Sequence, residues 1–208
     1  MKVLFGFTVF SFFVALQVFA EIPERLAAEL KGKLANLSAV HEIRGELSYI
    51  NEIRRATAEV NQIPNYPKMN WDDALATKAV SFGCEEHVGT DFRAFRISAD
   101  PAAVDHDIAL MEELKKDPAL VFTRSQGLFE LFSPVNSKFG CAKSSCPTAG
   151  FAYSFTCLAV PTNVNKRESS EQGKPGSQCG KYVNDNGLCD YNPLRLRRLH
   201  PLRMATDL

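Results

Sequence analysis

The stretch FELFSPVNSKFGCAKSSC, Phe129 to Cys146, carries two cysteines behind two apolar runs, LFELF and SKFGCA, that read as short strands. Just downstream, FAYSFTCLAV alternates Phe151, Tyr153, Phe155 and Cys157 on one side with Ala152, Ser154 and Thr156 on the other. That period predicts a strand with one buried face. Short strands in succession are most simply paired antiparallel.

Upstream the period lengthens to three and four. Ile43, Leu47, Ile50, Ile53, Thr57 and Val60 mark one face of an amphipathic helix, with Arg44, Glu52, Arg54, Arg55 and Glu59 on its wet side. Two prolines and three asparagines in NQIPNYPKMN end it. A second helix starts at NWDDALATKAVSFGC, with Asn70 as cap, Asp72 and Asp73 in the first turn, and Leu75, Ala79 and Phe82 as the buried stripe. SADPAAVDHDIALMEELKKDP predicts a third, capped by Asp100, opened by Pro101 and bounded by Pro118. Helices first and strands late is the order of an α+β domain. Thr162 to Gln178 is polar and linker-like, and no internal repeat is present.

The chain opens MKVLFGFTVFSFFVALQVFA, one cation followed by an apolar run ending Val18-Phe19-Ala20. This predicts a secretory signal peptide over residues 1–20, cleaved after Ala20; Thr8, Ser11 and Gln17 weigh against a membrane anchor. No other segment is long and apolar enough to cross a membrane, so no transmembrane segment is expected in the mature chain. Of 208 residues, 24 are basic and 24 acidic; removal of Lys2 with the signal leaves a net charge of −1. That balance gives no argument for nucleic acid. Six cysteines in an exported chain predict three disulfides, with fifteen connectivities open on spacing alone, and their spacing is not that of zinc sites. Asn36-Leu37-Ser38 is a glycosylation sequon at Asn36.

Three pieces together resemble the CAP superfamily of cysteine-rich secretory, antigen-five and pathogenesis-related proteins, and most of all its nematode SCP-like secreted members. They are INEIRRATAEVNQIPNYPKMNWDDALATKA, FGCAKSSC followed by Cys157, Pro161 and Asn163, and GKPGSQCGKYVNDNGLCDY. The resemblance spans Leu47 to Tyr191. It implies a three-layer α-β-α sandwich around an antiparallel sheet, with the CAP/SCP-like domain over 43–165 and a linker and small disulfide hinge over 166–191; an N-terminal extension over 21–42 precedes the domain, and the gathered arginines mark a basic tail over 192–208. It also implies the pairs Cys84–Cys146, Cys141–Cys157 and Cys179–Cys189, Gly176 standing where many relatives carry a further cysteine.

Many CAP domains hold a divalent metal in a cleft of two histidines and two glutamates. By resemblance His87 stands at the first histidine and Glu112 or Glu113 at one glutamate, while VGTDFRAFRIS offers no glutamate for the other. The relatives' Gly-His-x-Thr-Gln is absent: Gly127 is followed by Leu128, and Phe132 takes the place of the tryptophan that usually follows. One histidine is a poor ligand set for zinc or copper, so no metal, cofactor or catalytic residue is expected. The plain alternative for His87 is a histidine at a helix end, where its charge suits the dipole. His41 and His106 sit on charged helical faces and His200 in the tail. There is no Gly-x-Ser-x-Gly elbow, and Glu85-Glu86 and Glu112-Glu113 read as solvated helix surface.

The expectation is a secreted, extracellular, non-catalytic domain that binds a protein partner or a small lipophile. Two alternatives stay open: a metal-dependent hydrolase with a cleft rearranged around His87, His106 and Glu112 or Glu113, and a stable structural or defence product. In the tail, Arg195, Arg197 and Arg198 form the Arg-x-Arg-Arg pattern cut by secretory convertases, against an uncut basic tail or an amphipathic terminal helix.

Overall fold

The computed structural model describes residues 24–34, 36–84, 87–89, 91–116, 127–134, 136–148, 150–161, 173–180 and 182–191. The predicted signal, the Arg195, Arg197 and Arg198 cluster and His200 lie outside them, as do Pro118, Glu85 and Glu86.

Helices α1 (Glu24–Leu34), α2 (Val40–Gly45), α3 (Leu47–Val60), α4 (Asp73–Phe82) and α5 (Pro101–Lys116) surround a sheet of β1 (Asn70–Trp71), β2 (Arg93–Ile97), β3 (Asn136–Thr148) and β4 (Phe151–Pro161). The strand order is β1-β3-β4-β2. A small hairpin, β5 (Val183–Asp185) and β6 (Leu188–Asp190), follows. The result is an α-β-α sandwich. The three long strands are antiparallel as expected, but β1 joins β3 in parallel through Asn70↔Lys138 and Trp71↔Phe139, which makes the sheet mixed.

The two sheet faces bury different layers. Phe95, Ile97, Phe139, Phe155 and Cys157 pack under Ile43, Ile50 and Ile53 of α2 and α3, while Ala94, Ala142 and Leu158 pack under Ala79 of α4. β4 therefore has two buried faces where one was expected: Thr156 and Leu158 are as inaccessible as Phe155 and Cys157. Cover on both sides removes the polar face that alternation otherwise signals.

Several local expectations shift. The helix expected to run unbroken from Ile43 is interrupted at Glu46. Arg54, expected on its wet side, is fully buried. The cap of α4 is Asp72, whose carboxylate accepts from the amides of Ala74 (3.0 Å) and Leu75 (3.2 Å), because Asn70 is already engaged in β1. Asp100 does cap α5, accepting from Ala102 N, with Pro101 first in the helix. LFELF is no strand but lies in a 3₁₀ helix, Gly127–Phe132, whereas SKFGCA does fall in β3.

All six cysteines are paired, as Cys84–Cys146, Cys141–Cys157 and Cys179–Cys189, the connectivity the resemblance implied. Cys141 and Cys157 face each other in register across β3 and β4. The C-terminal hairpin is seated on the 62–68 loop: Cys189 N donates to Tyr66 O and Lys68 N to Cys189 O, both at 2.8 Å. Arg55 Nε adds a bond to Asn186 O at 2.7 Å, and Leu188 packs with Ala58 and Tyr66.

Candidate functional site

His87 sits in the turn between α4 and β2. Ala94 N donates to its carbonyl (2.7 Å), and Gly89 N donates to Phe92 O (3.0 Å), folding the turn back on itself. The imidazole lies flat on Phe92 with centroids 4.1 Å apart, and its Nε2 is 3.2 Å from Asp91 Oδ1. That hydrogen bond holds the Asp91 carboxyl below its ordinary range. The Lys78 ammonium lies 3.6 Å from the Phe92 centroid, so an imidazole and a cation share one ring.

The segment in which the resemblance to CAP proteins would place a second histidine is built differently. Leu128 is 2% exposed and belongs to the core. Two residues on, Glu130 is fully buried, and its Oε1 accepts from Arg93 Nε at 2.8 Å. Its Oε2 accepts from Asn136 Nδ2 at 2.9 Å, and the same amide bonds the Glu130 carbonyl. A buried carboxylate needs such partners, and these fasten β2, the 3₁₀ turn and the start of β3 to one another. Phe132 is buried beside Phe129.

A second acid from α5 reaches the same turn. Asp107 accepts from the Tyr153 hydroxyl (3.0 Å) and from Leu128 N (3.3 Å). Gly127, at φ +53°, lies so close that a Cβ there would be 2.9 Å from Asp107 Oδ1. The side chains of Glu112 and Glu113, the acids assigned from sequence, lie outside the described residues, although both positions are on α5. Asp107 carried a signal in the sequence: it shares an i, i+3, i+4 face with Ala103 and Val104, both buried. His106 is its neighbour, with Nδ1 3.8 Å from Asp107 Oδ1. His41 is exposed on α2.

Burial pushes the Asp107 carboxyl above its ordinary value, against the opposing pull of Leu128 N and Tyr153. Burial and then the Asp107 charge hold the Tyr153 phenol well above its own. Between the ordinary and the raised carboxyl values the folded chain binds more protons than the unfolded one. The stability contributed by protonated Asp107 is thus full at low pH and lost as pH rises through the folded value. Asp107→Asn is expected to flatten this fall across mildly acidic pH, read as urea midpoints of both proteins over a pH series. Parallel curves would show that Asp107 does not titrate there.

The arrangement offers held carboxylates and two part-exposed imidazoles, His87 and His106. Among the described residues no three His, Cys, Asp or Glu side chains converge on a point where a metal ion would sit. A separate small groove lies between the end of α1 and α3, floored by Ile43, Ile50, Ile97 and Leu131, with the Lys33–Glu46 ion pair (3.0 Å) at its rim. At Asn36 the amide donates to Gly32 O at the end of α1, and the residue is exposed. No helix among the described residues is long and apolar enough to cross a membrane.

No family model matches the sequence, and no curated protein matches it. Among solved structures, the hookworm platelet inhibitor is similar at 20% identity and a TM-score of 0.49, over 72% of this chain and 90% of that one.

Proposed function

We propose that the chain is a secreted binding domain of the CAP type that does no catalysis, and that its partner is an extracellular protein. The observation that supports this most directly is the replacement chemistry in the 3₁₀ turn. Leu128 is spent in the core and Glu130 is locked to Arg93, so neither is free to hold a metal or a substrate. A disulfide-tied sandwich with its acids internally satisfied is suited to presenting a fixed surface.

A second reading, a small lipophile, has only the apolar floor of the groove beside Tyr49 in its favour: the groove as it stands has room for about one water, so a lipophile would have to part α1 from α3 at the Lys33–Glu46 rim. Native mass spectrometry of the secreted protein distinguishes the two: a retained lipid favours the groove, and a bare mass favours the protein partner. Metal analysis of the purified, oxidised protein tests the non-catalytic reading itself. The expected content is well below one metal per chain. Stoichiometric zinc that disappears in His87→Ala would overturn it and favour the hydrolase with a cleft around His87, His106 and Glu112 or Glu113.

A further inference from the structure

The three disulfides differ in how solvent meets them. Cys141 and Cys157 are 1% and 0% exposed, and Cys179 and Cys189 are 4% and 0% exposed. In the third, Cys146 is 1% exposed but Cys84 is an exposed residue at the end of α4. Exchange requires an incoming thiolate to reach one sulfur and push the other out, so access decides which bond reacts.

We propose that Cys84–Cys146 is a thiol-exchange site for an external dithiol, with Cys84 the attacked sulfur and Cys146 the leaving group. One thiolate of the dithiol bonds to Cys84 Sγ as the Cys84–Cys146 bond breaks, and Cys146 departs as a thiolate. The second thiol then attacks the mixed disulfide, releasing Cys84 and closing the reagent into its own disulfide. Two electrons and two protons pass from the dithiol to the cysteine pair.

One further feature suits this polarity, and a second suits exchange at either sulfur. The Thr156 hydroxyl lies 3.7 Å from Cys146 Sγ, where it can turn to donate to the departing thiolate. Arg96, on β2, donates to the Cys84 carbonyl, while its Nε is buried with no acceptor. A guanidinium beside the pair favours the thiolate form of whichever sulfur is released.

The helix end does not depend on the bond alone. Arg96 holds Cys84 O independently of the sulfurs, so reduction cuts the covalent link between α4 and β3 while this bond remains, the Thr156 hydroxyl turning from Gly83 O (3.3 Å) to the released sulfur. The site is therefore switchable within the folded protein.

The test is timed reduction of the oxidised, full-length secreted protein with limiting dithiothreitol, quenched by alkylation and mapped by mass spectrometry. Cys84 and Cys146 are expected to be labelled roughly tenfold or more ahead of the other four. Earlier labelling of Cys179 and Cys189 would overturn the proposal, and so would simultaneous labelling of all six, which signals global unfolding. A second measurement uses single variants. In Cys146→Ser the remaining Cys84 thiol should react readily with an aromatic disulfide reagent, whereas in Cys84→Ser the remaining Cys146 should resist it. Equal reactivity would reject the assigned polarity.

Discussion

Gly140→Ala is expected to lower the thermal midpoint by roughly 6–12 °C, a loss of about 3 kcal/mol. A Cβ at this position would stand 2.3 Å from Ala76 N, 2.5 Å from Asp72 O and 2.9 Å from Leu75 C. All three are backbone atoms in or next to the first turn of α4, and none can rotate away as a side chain would. The whole helix start would have to lift from β3, weakening the Asp72 cap and the contacts of Ala79 with Ala142 and Leu158. Gly45→Ala is the control, because nothing lies within 4 Å of a Cβ there. Thermal melts of both variants under non-reducing conditions decide the matter. A Gly140→Ala midpoint within about 2 °C of the parent would mean that the helix is not seated on this glycine.

The second large effect is expected at Arg54. Its guanidinium donates to four backbone carbonyls: Pro67 O (2.9 Å), Leu131 O (2.5 Å), Ser133 O (3.1 Å) and Asn136 O (2.7 Å). It also lies over the Tyr66 ring, 4.6 Å from the centroid. Burial pushes its pKa down to about 10, so it stays charged at neutral pH, held by carbonyl dipoles in place of a carboxylate. Arg54→Met fills similar space but strands these acceptors, and should destabilise the protein by about 3–5 kcal/mol. Arg54→Lys keeps the charge yet lacks the fork that reaches several directions at once, so its loss should be comparable. Urea unfolding measures both, and a lysine variant within about 0.5 kcal/mol of the parent would show that charge alone is what the site requires.

Arg54 also marks the limit of what the sequence reveals. Its neighbours in α3 obey helical periodicity, and a charged residue off the apolar stripe reads as solvated. Its burial is decided by Leu131, Ser133 and Asn136, about eighty residues away, and local pattern carries no trace of them. β2 went unread for a related reason. RAFRI sets two arginines among apolar residues, yet every position is buried, because Glu130 receives Arg93 and the Cys84 carbonyl receives Arg96. LFELF has strand-like composition, but its last carbonyls are claimed by Arg54 and by the Tyr66 hydroxyl, which suits a tight turn better than a ladder. The elements that were legible are those whose causes are local: the Asp100–Pro101 start of α5 and the alternation of β4. At the candidate site, the absence of a histidine after Gly127 could be read directly at Leu128. The acid that occupies the turn, Asp107, could have been found from helical phase, but not its Tyr153 partner.

The seating of Cys189 between Tyr66 and Lys68 bears on how the chain acquires its structure as it is made. The backbone groups of the 66–68 loop receive their partners from a strand more than a hundred residues later, and the fork of Arg54 waits for residues 131–136. Closing such long loops costs entropy before any contact rewards it, which slows folding. A growing chain can form its helices early, but it cannot complete its core until its C-terminal hairpin has emerged. Completion of the core thereby waits on the Cys179–Cys189 hairpin, whose strand supplies the backbone partners of the 66–68 loop.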